Sequence, residues 1–240
     1  MPLEAFSRIS GCRSVASNVS VGFVDAEGLG DRDITYDSRL VSPVLLASKV
    51  VIFNWKDSLQ ADRILNLLAV LAKAAQNVEL AEGETRKVFG HLHIIFRDWN
   101  FVNTSAAEVH DTLFKKEKGV SKEISNRNLA RLELVEAFDS INIWLFPLPV
   151  SSTAQLSEKI RFEQLQPSFQ SKLRDFRTRV SEQLQDPMLF NQQPLTGHTL
   201  AEMMPLFAES LNDNRVIMPE SIYSSMRRAE GKKMQQTAEQ

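Results

Sequence analysis

The sequence predicts an α/β protein with a mostly parallel sheet flanked by helices, followed by an α-helical C-terminal extension. Three observations lead there. Short β-rich runs alternate with stretches of helical periodicity as far as about Val150. Strands then stop after the punctuation Pro147-Leu148-Pro149, and beyond it apolar residues recur only at three- and four-residue steps. At 240 residues and 43% hydrophobic content, the chain can bury a sizeable core without disulfides or metals.

In chain order, the β-rich runs are Val19 to Asp25, Val50 to Asn54, Leu92 to Arg97 and Ile141 to Phe146. Between them, Ile64, Leu67, Leu68, Leu71, Ala74 and Ala75 mark one buried face of a helix over Ser58 to Gln76, with Asp57 and Gln60 as a candidate capping pair. Leu129, Leu132, Val135 and Phe138 give a second stripe. After the prolines come two amphipathic helices, one with Phe169, Leu173, Phe176, Val180 and Leu184 as core packing, the other with Leu200, Met203, Met204, Phe207 and Leu211. Ser221 to Gln240 is polar on nearly every face and reads as a solvated or partner-dependent helix that frays at its end. Residues Asn77 to Lys87 and Phe101 to Ser121 read as exposed loops.

Composition excludes several function classes. Lys and Arg number 28 against 30 Asp and Glu, a net of -2, so the basic footprint of a nucleic-acid binder is absent. Cys12 is the only cysteine, which rules out an internal disulfide and cysteine-rich zinc sites and fits a cytoplasmic protein. The greasiest run, Val41 to Phe53, is interrupted by Lys49 and too short to cross a bilayer, and Met1 to Ser20 lacks the apolar core of a secretory signal. His91 and His93 share a strand face but have no Cys or His nearby in sequence, so they read as a surface pair and not as metal ligands. Glu108, His110 and Asp111 read as an acidic loop without catalytic context.

The most informative stretch is Phe23-Val24-Asp25-Ala26-Glu27-Gly28-Leu29-Gly30-Asp31, an apolar run that ends in an aspartate and a glycine-rich turn. Ligands of doubly wound sheets bind outside the carboxyl ends of the strands. Asp25 is therefore placed to hold a Mg²⁺-bound water, and the Gly28 amide is open to a phosphate because no side chain blocks it. The strand Leu92 to Phe96 ends similarly, in Arg97-Asp98-Trp99-Asn100.

Taken in order, Phe23 to Asp31, Asp37-Ser38 with the helix Leu40 to Ser48, the strand Val50 to Asn54, Arg97-Asp98-Trp99 and Phe146-Pro147-Leu148-Pro149 resemble the GTPase domain of the guanylate-binding proteins and atlastins, large GTPases of the dynamin superfamily. The resemblance covers roughly Val19 to Arg228. It implies an incomplete P-loop-GTPase-like fold, with residues 1–18 unassigned, a partial G domain over 19–215 and the start of a helical middle domain over 216–240. It implies GTP or GDP as ligand, Mg²⁺ accompanying GTP, and pairing of two copies through the G domain. Asp25 matches the magnesium-linked aspartate, Gly28 the switch glycine near the γ-phosphate, and Asp98 the guanine-reading aspartate, with Arg97 and Trp99 beside it. Ala26 departs from the family's Thr or Ser.

A P-loop requires Gly, four residues, then Gly-Lys-Ser or Gly-Lys-Thr, because successive amides cradle the phosphates while Lys reaches the outer ones. The lone Gly-Lys pair, Gly231-Lys232, has Met226 five positions before it and Lys233 after it. Two functional readings follow: a large GTPase that is truncated or degenerate and inactive alone, or a non-catalytic pseudo-GTPase interaction module that keeps the G-domain dimer surface. The same resemblance places the strand at Val19 to Asp25 beside the missing first strand. Hydrogen-bond partners are then lost from the middle of the sheet, so that either two strands re-pair or an apolar edge is exposed.

Overall fold

The computed structural model describes residues 13–16, 19–25, 33–56, 59–80, 87–151, 160–190, 192–213 and 215–238. Its centre is a three-stranded parallel sheet, order β3-β4-β5, formed by β3 (Val50–Lys56), β4 (Phe89–Arg97) and β5 (Phe138–Leu145). Helix α1 (Ile34–Ala47) precedes β3, α2 (Ala61–Ala75) links β3 to β4, and α3 (Ala106–Phe114) and α4 (Lys122–Ala137) link β4 to β5. Parallel neighbours need such crossovers, and the β-rich runs separated by helical periodicity encode them. Beyond β5, a single 3-10 turn (Phe162–Gln164), α5 (Pro167–Gln183), a small antiparallel pair β6 (Leu189–Phe190) and β7 (Gln193–Pro194), α6 (Gly197–Asn212) and α7 (Pro219–Ala238) complete the α/β fold and its helical extension.

The alternation of β4 decides the layers. Leu92, Ile94 and Phe96 are fully buried on one face, joined by Val51, Phe53 and Trp55 of β3 and by Ile141, Ile143 and Leu145 of β5. Helix α2 supplies Ile64, Leu68 and Leu71 to the same core. Its N-terminus is Ala61, and Gln60 at the N-cap makes no side-chain capping bond, while Asp57 lies outside the described residues. Strand β4 can start close to β3 because residue 90 is glycine. A Cβ at Gly90 would stand 2.2 Å from the Lys49 carbonyl oxygen, and His91 N–H donates to that oxygen at 2.8 Å.

Helix α5 covers part of the other face through aromatic side chains. Phe176 meets the rings of His93 and Trp144 edge-on at 5.5 and 5.2 Å, and Phe169 meets Phe146 at 5.4 Å. Contrary to the surface pair read from sequence, His93 is wholly buried there. Trp144 Nε1–H donates to His93 Nδ1 at 2.8 Å, so Nδ1 carries no proton and the neutral ring donates from Nε2 to Gln183 Oε1 at 2.7 Å. Sequence spacing saw two histidines on one face; only packing reveals that α5 closes over the second.

Three other expectations change. The strand over Val19 to Asp25 is shorter, β2 (Val19–Val21), and it pairs antiparallel with β1 (Arg13–Ala16), outside the parallel sheet. The strands on either side of the expected gap do not re-pair with each other: β2 joins the hairpin, and β3 has β4 as its only strand partner among the described residues. The loop expected over Phe101 to Ser121 contains α3, whose Val109 and Leu113 are fully buried and whose start is held by a capping box between Ser105 and Glu108. The acidic residues hid an amphipathic helix of two turns. On α4 the stripe Leu129, Leu132 and Val135 faces outward, each at least 43% exposed, and Arg131, Leu134 and Ala137 are buried instead. Arg131 is tolerated inside because its Nε donates to the Leu113 carbonyl at 2.7 Å and its Nη2 pairs with Glu117 at 2.6 Å. Two stripes of nearly equal spacing competed, and the ion pair decided between them. Arg127 joins the same carboxylate, and the two guanidinium groups hold Glu117 down to about 2.

The polar tail is anchored as well. Ile217 exchanges backbone bonds with Asn77 and Glu79 at 2.6 and 2.9 Å, and Ile222 and Met226 of α7 enter the main core. No helix among the described residues is long and apolar enough to cross a membrane.

Two predictions come from these contacts. Gly90→Ala forces β4 off the Lys49 carbonyl and lowers unfolding free energy by about 1 to 3 kcal/mol or more, measured by urea denaturation. Burial pushes the His93 pKa below its usual value. The unfolded chain therefore takes up a proton that the folded chain refuses, and stability is lost as pH falls below about 6.5 toward the lowered folded value. His93→Phe removes this increment of acid sensitivity, read as a smaller drop in Tm between pH 7.5 and pH 5 than in the wild type.

Candidate functional site

The carboxyl ends of β3, β4 and β5 form one rim, because the three strands run parallel. At this rim the sequence-predicted Arg97 and Asp98 end β4. Pairing with β5 continues one residue past the strands. Phe146 N–H donates to the Phe96 carbonyl at 2.8 Å, and the Phe146 carbonyl accepts from Trp99 N–H at 2.8 Å. Both backbone groups of Phe146 are thus used, one before and one after the pair Arg97-Asp98, which must bulge away from β5. The bulge is achieved at Asp98, whose φ is 58°. Aspartate tolerates this left-handed conformation better than most side chains.

Behind the bulge, Trp99 acts as a wedge. Its ring meets Phe96 edge-on at 5.5 Å and Phe101 at 5.0 Å, and its Nε1–H donates to the Phe101 carbonyl at 3.0 Å. Asp98 itself is half-buried, and among the described residues its carboxylate has no hydrogen-bond or ion-pair partner. Arg97 is exposed and equally without one. A carboxylate fixed at the backbone and uncommitted at its oxygens is suited to accept two N–H donors from one planar ligand.

Gly28 lies outside the described residues, as do Ala26, Glu27 and Asp31. Asp25 is described, exposed, and four residues past the short strand β2, which belongs to the hairpin and not to the parallel sheet. Among the described residues no group of three or more His, Cys, Asp or Glu could hold a metal ion. A single exposed carboxylate at Asp25 does not make a divalent-cation site, so the described donor set does not by itself fit Mg²⁺. Sequence reasoning placed Phe146 in one of the resembling blocks but gave it no role at the site; its backbone clamps the Asp98 bulge, and no side-chain signal reveals this, since the groups involved are N–H and C=O.

The backbone geometry at Asp98 is testable without any ligand. Asp98→Gly keeps or raises thermal stability because glycine adopts positive φ without penalty, whereas Asp98→Val costs about 1 to 2 kcal/mol, read from urea unfolding curves.

No individual curated protein sequence matches the chain. A family model does: residues 10–186 match the guanylate-binding protein N-terminal domain, a span that covers well over half of the 240 residues and contains β1 through α5 with the whole Asp98 rim. The Arg97-Asp98 bulge at the end of a central parallel strand therefore sits inside a large GTPase domain, and the chain belongs to the guanylate-binding protein family.

Proposed function

We propose that this chain carries the base-reading half of a guanine-nucleotide site, selects guanine through Asp98, and does not hydrolyse GTP on its own. The carrying observation is the uncommitted Asp98 carboxylate, held at the sheet rim by the two backbone bonds of Phe146. Guanine offers its ring N–H and exocyclic amine side by side; adenine presents an acceptor where the ring N–H would be. Arg97 and Trp99 flank the base-reading carboxylate, the first exposed to solvent and the second packed beneath.

The phosphate half is where the reading stops short of catalysis. Phosphoryl transfer is accelerated mainly by oriented amides and fixed positive charge around the transferring group. These 240 residues contain no Gly-x-x-x-x-Gly-Lys-Ser or Gly-Lys-Thr segment to supply them. Asp25 and Gly28 would then form only part of a phosphate and Mg²⁺ site, with Mg²⁺ accompanying GTP. Pairing of two copies through the G domain, and action in the cytoplasm, belong to the same reading.

The missing P-loop also favours a second reading, a pseudo-GTPase module that keeps the G-domain pairing surface and has lost nucleotide dependence. Size-exclusion chromatography with light scattering separates the two: dimers that form equally with and without nucleotide support the module, and dimers driven by GTP support a working switch.

Titration with fluorescent guanosine and adenosine triphosphate analogues tests the leading reading. Guanosine binding should exceed adenosine binding, and Asp98→Ala should weaken it about 10- to 100-fold, the effect of losing charge-assisted hydrogen bonds. Asp98→Gly, which relieves the backbone, should weaken it as much. Equal affinity for the two bases would refute the assignment.

A further inference from the structure

Among the described residues the outer edge of β5 is open. Sheet order β3-β4-β5 leaves β5 with a neighbour on one side only, and among the described residues no backbone group bonds its other side. Which groups are free follows from the ladder. Phe146 points both its N–H and its C=O toward β4, and strand residues alternate, so Asn142 and Trp144 do the same. Ile141, Ile143 and Leu145 therefore direct their N–H and C=O groups outward.

Those three residues also line a groove. One cavity of about 460 Å³ takes Ile141, Asn142, Ile143 and Trp144 as its floor. Four consecutive strand residues, whose side chains alternate between faces, can line one cavity only at the strand edge. A second cavity of about 480 Å³ takes Ile143, Leu145 and Pro147. The two meet at Ile143 and Ala106. Five strand residues from Ile141 to Leu145 extend about 16 Å. This length suits an added strand of similar size.

The walls give the groove a sign. On one side, the small residues Ala106 and Ala107 open α3, and they keep that wall low. On the other, α5 contributes Lys172 and Arg179, one to each cavity. Arg179 is exposed and shares its charge with Glu182 at 3.4 Å, while Lys172 has no ion pair among the described residues. His110 lines the first cavity, and no carboxylate lines either. The two cations are seven residues apart on one helix face, two turns, and so lie about 10 Å apart along it.

We propose that this groove is a docking site for an extended acidic peptide segment of a partner protein, which adds to the sheet beside β5 as a further strand. Backbone pairing to Ile141, Ile143 and Leu145 supplies affinity, and glutamates or aspartates of the segment face Lys172 and Arg179. Neither Arg97 nor Asp98 lines the groove, but Trp99, which packs beneath the rim, lines its second cavity, so the groove adjoins the guanine-reading rim without using the Asp98 carboxylate.

The test uses the full chain without nucleotide and a fluorescein-labelled nine-residue peptide of alternating valine and glutamate. Fluorescence anisotropy should show saturable binding that weakens with salt. Lys172→Glu combined with Arg179→Glu should cut it at least about tenfold and confer binding of the matching valine-lysine peptide. Residue-resolved amide exchange on the wild type should slow at Ile141, Ile143 and Leu145 when the acidic peptide is added, with Asn142 and Trp144 unchanged because they are already bonded. N-methylation of alternate peptide amides should abolish binding at unchanged charge. Equal binding of the N-methylated peptide, charge preference that does not reverse in the double variant, or protection that does not alternate along β5 would overturn the proposal. So would the absence of binding, or protection of the same three amides on raising protein concentration alone, which would assign the edge to a second copy of this chain. Should the double variant fail to fold, the exchange pattern of the wild type decides.

Discussion

Strand β4 is hydrogen-bonded on both sides and packed on both faces, and the other functional features are arranged around it. A strand in that position has no freedom to shift: slipping it by one residue would turn Leu92, Ile94 and Phe96 out of the core and His93 into it from the wrong face. Its end is thereby fixed, and with it the place where the chain must leave the sheet. The bulge at Arg97-Asp98 is the exit. Phe146 satisfies the groups on either side, so an aspartate in a left-handed conformation is held at the rim by backbone bonds alone.

The same centre explains how α5 and the rim communicate in structural terms. His93 and Phe96 belong to one strand but face opposite layers. Through His93, Trp144 and Phe176 the strand holds α5; through Phe96 and Trp99 it supports the rim. The first contact is polar at its heart, a neutral imidazole between an indole donor and an amide acceptor, and the Gln183 Nε2 group is left buried without a partner. Such a cluster is stable only in one protonation state and one orientation. It gives α5 a defined seat on the sheet and makes that seat sensitive to acid.

What the sequence made legible was periodic. Strands β3, β4 and β5 and helices α2, α5 and α6 were readable because apolar residues repeat at the spacing of the element that buries them, whereas the expectation that strands stop after Pro149 is corrected by the short pair β6 and β7, two residues each and too brief to show a period. Failures fell where burial was decided by a partner remote in sequence. Arg131 enters the interior because Leu113 and Glu117 receive it, and the outward Leu129, Leu132 and Val135 stripe was the mirror of that choice. His93 is buried because Gln183, ninety positions on, arrives above it. Val19 to Val21 joined a hairpin instead of the central sheet, because strand partners are set by which edges come together, not by propensity.

The order and spacing of several blocks, from Phe23 to Asp31 through Arg97-Asp98-Trp99 to Phe146-Pro147-Leu148-Pro149, identified the family, since side-chain chemistry at fixed order is written directly in the residues. Tertiary structure alone decided that Asp98 adopts positive φ, that Asp25 follows a strand outside the parallel sheet, and that among the described residues the Asp98 carboxylate is uncommitted and β5 keeps a free edge between α3 and α5. The physical reason is common to all three. A chain sequence specifies which groups can bond, but backbone N–H and C=O groups are alike at every residue, and only the packed arrangement determines which of them find partners and which remain open.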